Sequence, residues 1–170
     1  MASYAYAAGI IDGEGSFVAS WRLRKDKKGY SHLSYETKIS VSQKDGRIVD
    51  WLYGNFGGFI TIQKSYKNNP EMYQWVINEH KAYDFAKKIY SFLRYKKEQC
   101  KLFIRLGERK IISSRQNPNG TFARMNEHEK EIRQYLIDEI KRLKHIWRKS
   151  AVLETKRVNS HFERSDSPSL

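Results

Sequence analysis

Alternation dominates the first third of the chain. Residues 16–24, SFVASWRLR, set Phe17, Ala19, Trp21 and Leu23 against Ser16, Val18, Ser20, Arg22 and Arg24. A period of two with one polar side indicates a strand with one face in a core. Residues 34–43 repeat the pattern, with Tyr35, Thr37, Ile39, Val41 and Gln43 opposite Ser34, Glu36, Lys38, Ser40 and Ser42. The charged stretch 25–33, KDKKGYSHL, makes these two strands a hairpin with a long basic tip. A second hairpin is predicted from 59–65, FITIQKS, and 72–78, MYQWVIN, joined by YKNNPE, whose Asn and Pro residues carry turn chemistry.

Helical spacing fills the remainder. Residues 3–12, SYAYAAGIID, read as a short helix with Ser3 as a cap and an exit near Gly13–Gly15. In 45–56, Ile48, Val49, Leu52 and Phe56 recur at helical intervals before Gly57–Gly58. Further helices are predicted over 80–93 (Ala82, Phe85, Ala86, Ile89, Phe92, Leu93) and 96–112 (Cys100, Phe103, Ile104, Leu106, Ile111). A long charged helix over about 124–149 carries Ile132, Leu136, Ile140, Leu143 and Trp147 on one face. Strands arriving as antiparallel pairs between helices indicate an α+β fold and exclude a doubly wound sheet. Trp21, Trp51, Trp75 and Trp147 are expected in the core, and Cys100 is expected as packing.

With 170 residues, of which 39% are hydrophobic and 14% aromatic, the chain can bury one core. Residues 1–149 are expected to form the domain, and 150–170 a polar, frayed tail. Thirty-two Lys and Arg against nineteen Asp and Glu give a formal charge of +13, which favours a polyanionic partner. A single cysteine excludes a disulfide framework and a cysteine-rich zinc site. No apolar run approaches the roughly 18 residues of a membrane span, and the start lacks the basic region of a signal peptide. The expected place is therefore intracellular: cytoplasm, nucleoid or an organelle matrix, without secretion.

The sharpest local chemistry is Ala8-Gly9-Ile10-Ile11-Asp12-Gly13-Glu14-Gly15. Gly9 and Gly13 share a helix face, which would let two such helices approach closely. Asp12 and Glu14 bracket a glycine at a helix C-terminus, an electronegative end that disfavours carboxylates unless something compensates. A divalent cation held by a carboxylate and a free terminal carbonyl would do so, and such hard oxygen ligands suit Mg²⁺. A helix kink with a C-cap, and a solvated carboxylate, remain the plainer alternatives. Other templates fail: Gly13-Glu14-Gly15 lacks the third glycine of a dinucleotide loop, and His128-Glu129 lacks the second histidine of a zinc-protease helix.

AAGIIDGEG resembles the LAGLIDADG motif of homing endonucleases, and the order of elements over roughly residues 4–148 resembles that family too. The resemblance implies an αββαββα core whose four antiparallel strands form a saddle over duplex DNA, with further C-terminal helices. One motif per chain implies a homodimer, with Ala5, Gly9, Asp12 and Gly13 at the two-fold contact. It implies an intron-encoded, metal-dependent nuclease that uses Mg²⁺ or Mn²⁺, cuts both strands across the minor groove and leaves short 3′ overhangs. By position, Glu14 matches the metal-binding acid, as Glu where the motif has Asp, and Gly13 the glycine that offers a carbonyl to metal. Asp12 matches the earlier acidic position, which more often ends the helix. Gln43 and Arg47 match residues that order the attacking water, and Lys96 one that supports the transition state, with Lys97 competing for that role. Ordinary polar residues at a strand-to-helix turn, and a surface lysine in a basic run, are the plainer readings of these positions. Proteins resembling this family that bind RNA as intron maturases, or bind DNA without cutting, supply the alternative function.

Recognition follows from the strands. Nine residues at about 3.3 Å each span about 30 Å. That is roughly nine base pairs at about 3.4 Å per step. A dimer would cover about 20 base pairs of a pseudo-palindrome, with polar strand faces in the major groove. The candidate readers are Ser20, Arg22, Arg24, Ser34, Glu36, Lys38, Ser40, Thr61, Gln63 and Gln74. Lys25, Lys27, Lys28 and Lys67 at hairpin tips are expected to touch phosphates, which position without specifying.

Overall fold

The computed structural model describes residues 3–25, 29, 31–64, 71–113 and 126–165, with side chains of 24, 32, 33, 111–113 and 147–165 excepted. Helix α1 runs Tyr4–Glu14, and Ser3 caps it by accepting from the Tyr6 amide at 3.2 Å. The chain leaves α1 through Gly15, where an added Cβ would lie 2.6 Å from Ile11 Cα and 2.8 Å from its Cδ1. Only a residue without a side chain fits that turn, which feeds directly into β1, Gly15–Lys25.

Strand β2, Ser31–Gln43, pairs antiparallel with β1 from Gly15↔Val41 to Lys25↔Ser31. Helix α2, Gly46–Phe56, is capped by Asp45, which accepts from the Arg47 amide at 2.9 Å. Gly57 and Gly58, at φ of +69° and +93°, make the left-handed turn into β3, Phe59–Gln63. Strand β4 is Met72–Asn78, helix α3 Glu79–Ile89, and a 3-10 turn over Tyr90–Phe92 leads on to α4, Lys97–Ser113. Helix α5 is Glu127–Ser165. The expected α+β order αββαββα with C-terminal helices is observed.

The sheet order is β1-β2-β4-β3, so the two hairpins meet at the central β2–β4 pair. Its inner face carries Phe17, Ala19, Tyr35, Thr37, Ile39, Val41, Trp75 and Ile77, all buried against the helices. Phe17 packs on Phe103 of α4 at 5.3 Å and Trp75 on Phe85 of α3 at 5.5 Å between ring centroids. Leu23 keeps the inner-face parity but is 71% exposed, because the end of the hairpin reaches beyond the helices. Trp75 is fully buried and Trp21 and Trp51 half-buried against the core, while the Trp147 side chain lies outside the described set. Cys100 is buried, and burial pushes its thiol up to about 12, so it is inert packing.

Two boundaries differ from expectation. Helix α5 continues past 149 to Ser165, since no Gly or Pro interrupts the sequence before Pro168 and charged residues are good helix formers. Helix α3 stops at Ile89, and in the turn that follows Leu93 is buried whereas Phe92 faces outward. Helix α5 is anchored by a partly buried ionic cluster that apolar spacing could not reveal. Arg133, 1% exposed, donates from Nε to Glu129 Oε1 at 2.7 Å and from NH2 to the Arg109 carbonyl at 3.1 Å. Arg109 in turn pairs with Glu129, and the Arg133 guanidinium lies 4.8 Å from the Tyr35 ring centroid. From the edge, Trp21 Nε1 donates to Gln134 Oε1 at 2.6 Å, which ties α5 to β1.

Candidate active site

The C-terminal end of α1 opens onto a cavity of about 730 Å³ between the outer sheet face, the turn before α4, and α5. Glu14 is the last helical residue and is exposed on the lip of this cavity. Asp12 also lines the cavity, but its carboxylate is engaged by backbone amides. Its Oδ1 accepts from the Lys96 amide at 2.8 Å and its Oδ2 from the Arg94 amide at 2.7 Å, fastening α1 to the turn that precedes α4. Asp12 thus ends and anchors the helix, while Glu14 faces the open space.

That fastening delivers Lys96. Its Nζ donates to the carbonyl oxygens of Ile11 at 2.9 Å and Gly15 at 2.8 Å, and lies 3.4 Å from that of Gly13. An ammonium group therefore sits on carbonyls at the α1 terminus, where the helix dipole is negative; that of Ile11 also accepts from the Gly15 amide. Burial lowers the Lys96 pKa below the ordinary 10.5, Asp12 and Glu14 act in the opposite direction, and Lys144 adds to the lowering. Lys97 points elsewhere, its Nζ lying 5.3 Å from the Tyr90 ring centroid.

Among the described residues, no three His, Cys, Asp or Glu side chains gather into a ready metal cage. The oxygen donors at the α1 end are the Glu14 carboxylate and the Gly13 carbonyl, and beside them Ser16 Oγ is buried without a hydrogen-bond partner among the described residues. One carboxylate and a carbonyl, with room left for water and phosphate oxygens, fit the donor preference of Mg²⁺.

Gln43 and Arg47 are not brought into this cavity. Gln43 shares its strand face with Ile39 and Val41, the face turned to the helices. Arg47 lies largely in solvent and forks onto Asp45, with Nε 2.9 Å from Oδ2. The positions that do line the cavity from β1, β2 and β4 are Ser16, Val18, Lys38, Ser40, Ser42 and Gln74, with Gln74 Nε2 donating to Ser42 Oγ at 3.0 Å. Ser16, Val18 and Ser42 were legible from strand parity. Tyr95, Gln99 and Lys144 complete the wall, and Gln99 Nε2 donates to the Ile140 carbonyl of α5 at 3.1 Å. Only the tertiary docking of α5 puts Lys144 there.

The expected reading positions occupy one face. Across β1–β2, Ser20 pairs with Glu36, Arg22 with Ser34 and Val18 with Lys38; across β2–β4–β3, Ser42 pairs with Gln74 and Gln74 with Thr61, and Gln63 shares the Thr61 side. Arg22 Nε donates to Glu36 Oε2 at 2.8 Å, so the two are coupled rather than independent. Ser40 is 8% exposed, deep in the cavity floor. Lys25 is exposed at the end of β1; Arg24 is described by its backbone alone, and Lys27, Lys28 and Lys67 lie outside the described residues. On α1, Ala5, Gly9 and Gly13 form an exposed strip, and a Cβ at either glycine would meet nothing within 4 Å. Among the described residues no helix is long and apolar enough to cross a membrane.

A family model described as LAGLIDADG endonuclease matches residues 7–99, more than half of the chain. Among solved structures, the chain is similar to the homing endonuclease I-CvuI in complex with an I-CreI target, with 16% identity, 82% of this chain and 80% of that one covered, and a TM-score of 0.59. It is similar to the archaeal intron-encoded homing endonuclease I-Vdi141I complexed with DNA, with 21% identity, 82% of each chain covered and a TM-score of 0.60. A third is the homing endonuclease I-TnaI, with 17% identity, 87% of this chain and 97% of that one covered, and a TM-score of 0.56. At these identities the likeness establishes the fold. No curated protein sequence matches.

Proposed function

Because the chain belongs to the LAGLIDADG endonuclease family, we propose that it is a site-specific homing endonuclease acting as a homodimer on duplex DNA. The target is a pseudo-palindrome of about 20 base pairs, the length that two strand-lined half-sites can follow. The observation that carries this reading is the meeting of Glu14 and Lys96 at the α1 end, in a cavity floored by the polar outer face of the sheet. The DNA complexes of I-CvuI and I-Vdi141I support duplex DNA as the ligand.

In this reading the α1 strip of Ala5, Gly9 and Gly13 meets its counterpart in a second copy, and Asp12 holds each helix end in place. Two Glu14 carboxylates then face opposite strands across a minor groove. Glu14 and the Gly13 carbonyl would hold Mg²⁺ or Mn²⁺, which supplies an activated water and charge stabilisation at the phosphate. Lys96 opposes the extra negative charge of the pentavalent phosphate. Lys144 and Lys38, on opposite walls of the cavity, attract the phosphate backbone and hold the scissile bond near Glu14. Ser16 Oγ, buried at the same place, is available to order a water. Gln43 and Arg47 act through solvent or after rearrangement, since neither lines the cavity. Cleavage of both strands leaves short 3′ overhangs.

Incubation with Mg²⁺ and a randomised duplex library tests this. One enriched, two-fold-related cut sequence is expected, and Glu14→Gln should abolish cutting while keeping binding. Cuts that survive Glu14→Gln, or binding to RNA alone with no cleavage, would overturn it.

A further inference from the structure

The position of Lys96 bears on how metal enters, and the inference rests on the metal-binding role proposed for Glu14 and Gly13. Its ammonium makes short contacts to the Ile11 and Gly15 carbonyls and a longer one, 3.4 Å, to that of Gly13, the same carbonyl assigned to the cation. Two positive groups competing for one carbonyl repel each other strongly where water is partly excluded. The contact is not accidental to a floppy side chain, because the Lys96 backbone is itself pinned to α1 by the Asp12 carboxylate. Asp12, Glu14 and Lys144 are the charged groups that surround it, two drawing the ammonium in and one pressing on it.

We infer that in the DNA-free protein Lys96 serves as the internal counter-ion of the α1 terminus, and that a divalent cation is admitted only as Lys96 leaves those carbonyls. Lys96 then has two stations: on the helix end before the substrate arrives, and on the scissile phosphate once it does. The phosphate gives the departing ammonium an anionic partner to replace the carbonyls it gives up. DNA and metal therefore load together, and the free protein is kept from holding a competent cation away from its target.

Metal binding without DNA separates the possibilities. Mn²⁺ affinity is measured by electron paramagnetic resonance on the full chain for wild type, Lys96→Met, Glu14→Gln and the double variant. Lys96→Met should bind Mn²⁺ at least tenfold more tightly than wild type, and adding Glu14→Gln should erase the gain. If Glu14→Gln weakens Mn²⁺ binding but Lys96→Met leaves it unchanged or weaker, the counter-ion role is overturned while the metal site stands. If Glu14→Gln has no effect in either background, the metal site itself is wrong. A second readout needs no variant: the ammonium ¹⁵N–¹H correlation of Lys96 in wild-type protein. It should be visible in the free state and move to a new position on joint addition of Ca²⁺ and target duplex, and a signal that keeps its free-state position in the complex would overturn the inference.

Discussion

Replacing Gly9 by leucine should separate what one chain needs from what two chains need. A Cβ at Gly9 meets nothing within 4 Å in the single chain, so no internal contact resists the change. Helix propensity favours leucine over glycine by up to about 1 kcal/mol, so an isolated subunit should melt no lower than wild type. Across a two-fold contact the same side chain must fit between closely approaching backbones. Overpacking costs about 1–3 kcal/mol per site. Symmetry counts it twice, so association loses about 2–6 kcal/mol, which at about 1.4 kcal/mol per decade weakens the dimer roughly 30-fold or more. Sedimentation velocity over a concentration series reads the association. Thermal melting at the dilute end reads the subunit, where association no longer adds to apparent stability. Strand cleavage should fall in step with the dimer population. A Gly9→Leu protein that remains dimeric at wild-type affinity refutes the use of this helix face, and a wild type that sediments as a stable monomer refutes the symmetric target as well.

Other predictions follow from named contacts. Arg22→Ala should relax preference at one mirrored base position, whereas Lys25→Ala should weaken all sequences alike and flatten the salt dependence of binding; selection on a duplex library and a salt titration check both. The Arg47 guanidinium beside Asp45 holds that carboxyl at about 2, below its ordinary 3.8. A depressed carboxyl means its capping contribution is complete above pH 3.8 and is lost as the pH falls through about 2. A carboxyl ¹³C titration of Asp45 should show that midpoint, and Arg47→Ala should return it towards 3.8. Glu129→Gln leaves the buried Arg133 without its carboxylate and should cost about 3 kcal/mol in chemical denaturation, more than any exposed ion pair on α5.

The elements that positioned the site were readable because each rests on local chemistry. Ser3 before an alanine-rich run, and Gly15 at its end, define α1; the alternation of 16–24 and 34–43 defines the first hairpin. The same alternation already grouped Gln43 with Ile39 and Val41, on the side opposite Ser40 and Ser42. Family resemblance placed Gln43 in the site, and strand parity placed it facing the helices. The pleat prevails because a one-residue shift would expose the whole core face. Lys144, Gln99 and Tyr95 had no local signature, since their place in the wall depends on how α5 crosses the sheet. That crossing is fixed by Arg109 on Glu129, by Arg133 on the Arg109 carbonyl and by Trp21 on Gln134, pairings between separate elements of the chain. A hydrophobic stripe shows that α5 packs, and ionic anchors decide where.

The most direct measurement is a structure of the protein on its own target duplex with Ca²⁺, which occupies hard-oxygen sites while slowing chemistry. Two subunits should meet along α1, with the outer sheet faces on the DNA. A cation is expected between each Glu14 carboxylate, the adjoining Gly13 carbonyl and a phosphate of the strand to be cut. A duplex bound against the helices instead, or Glu14 distant from every phosphate with the cation elsewhere, would contradict the assignment of this helix end as the place of cleavage.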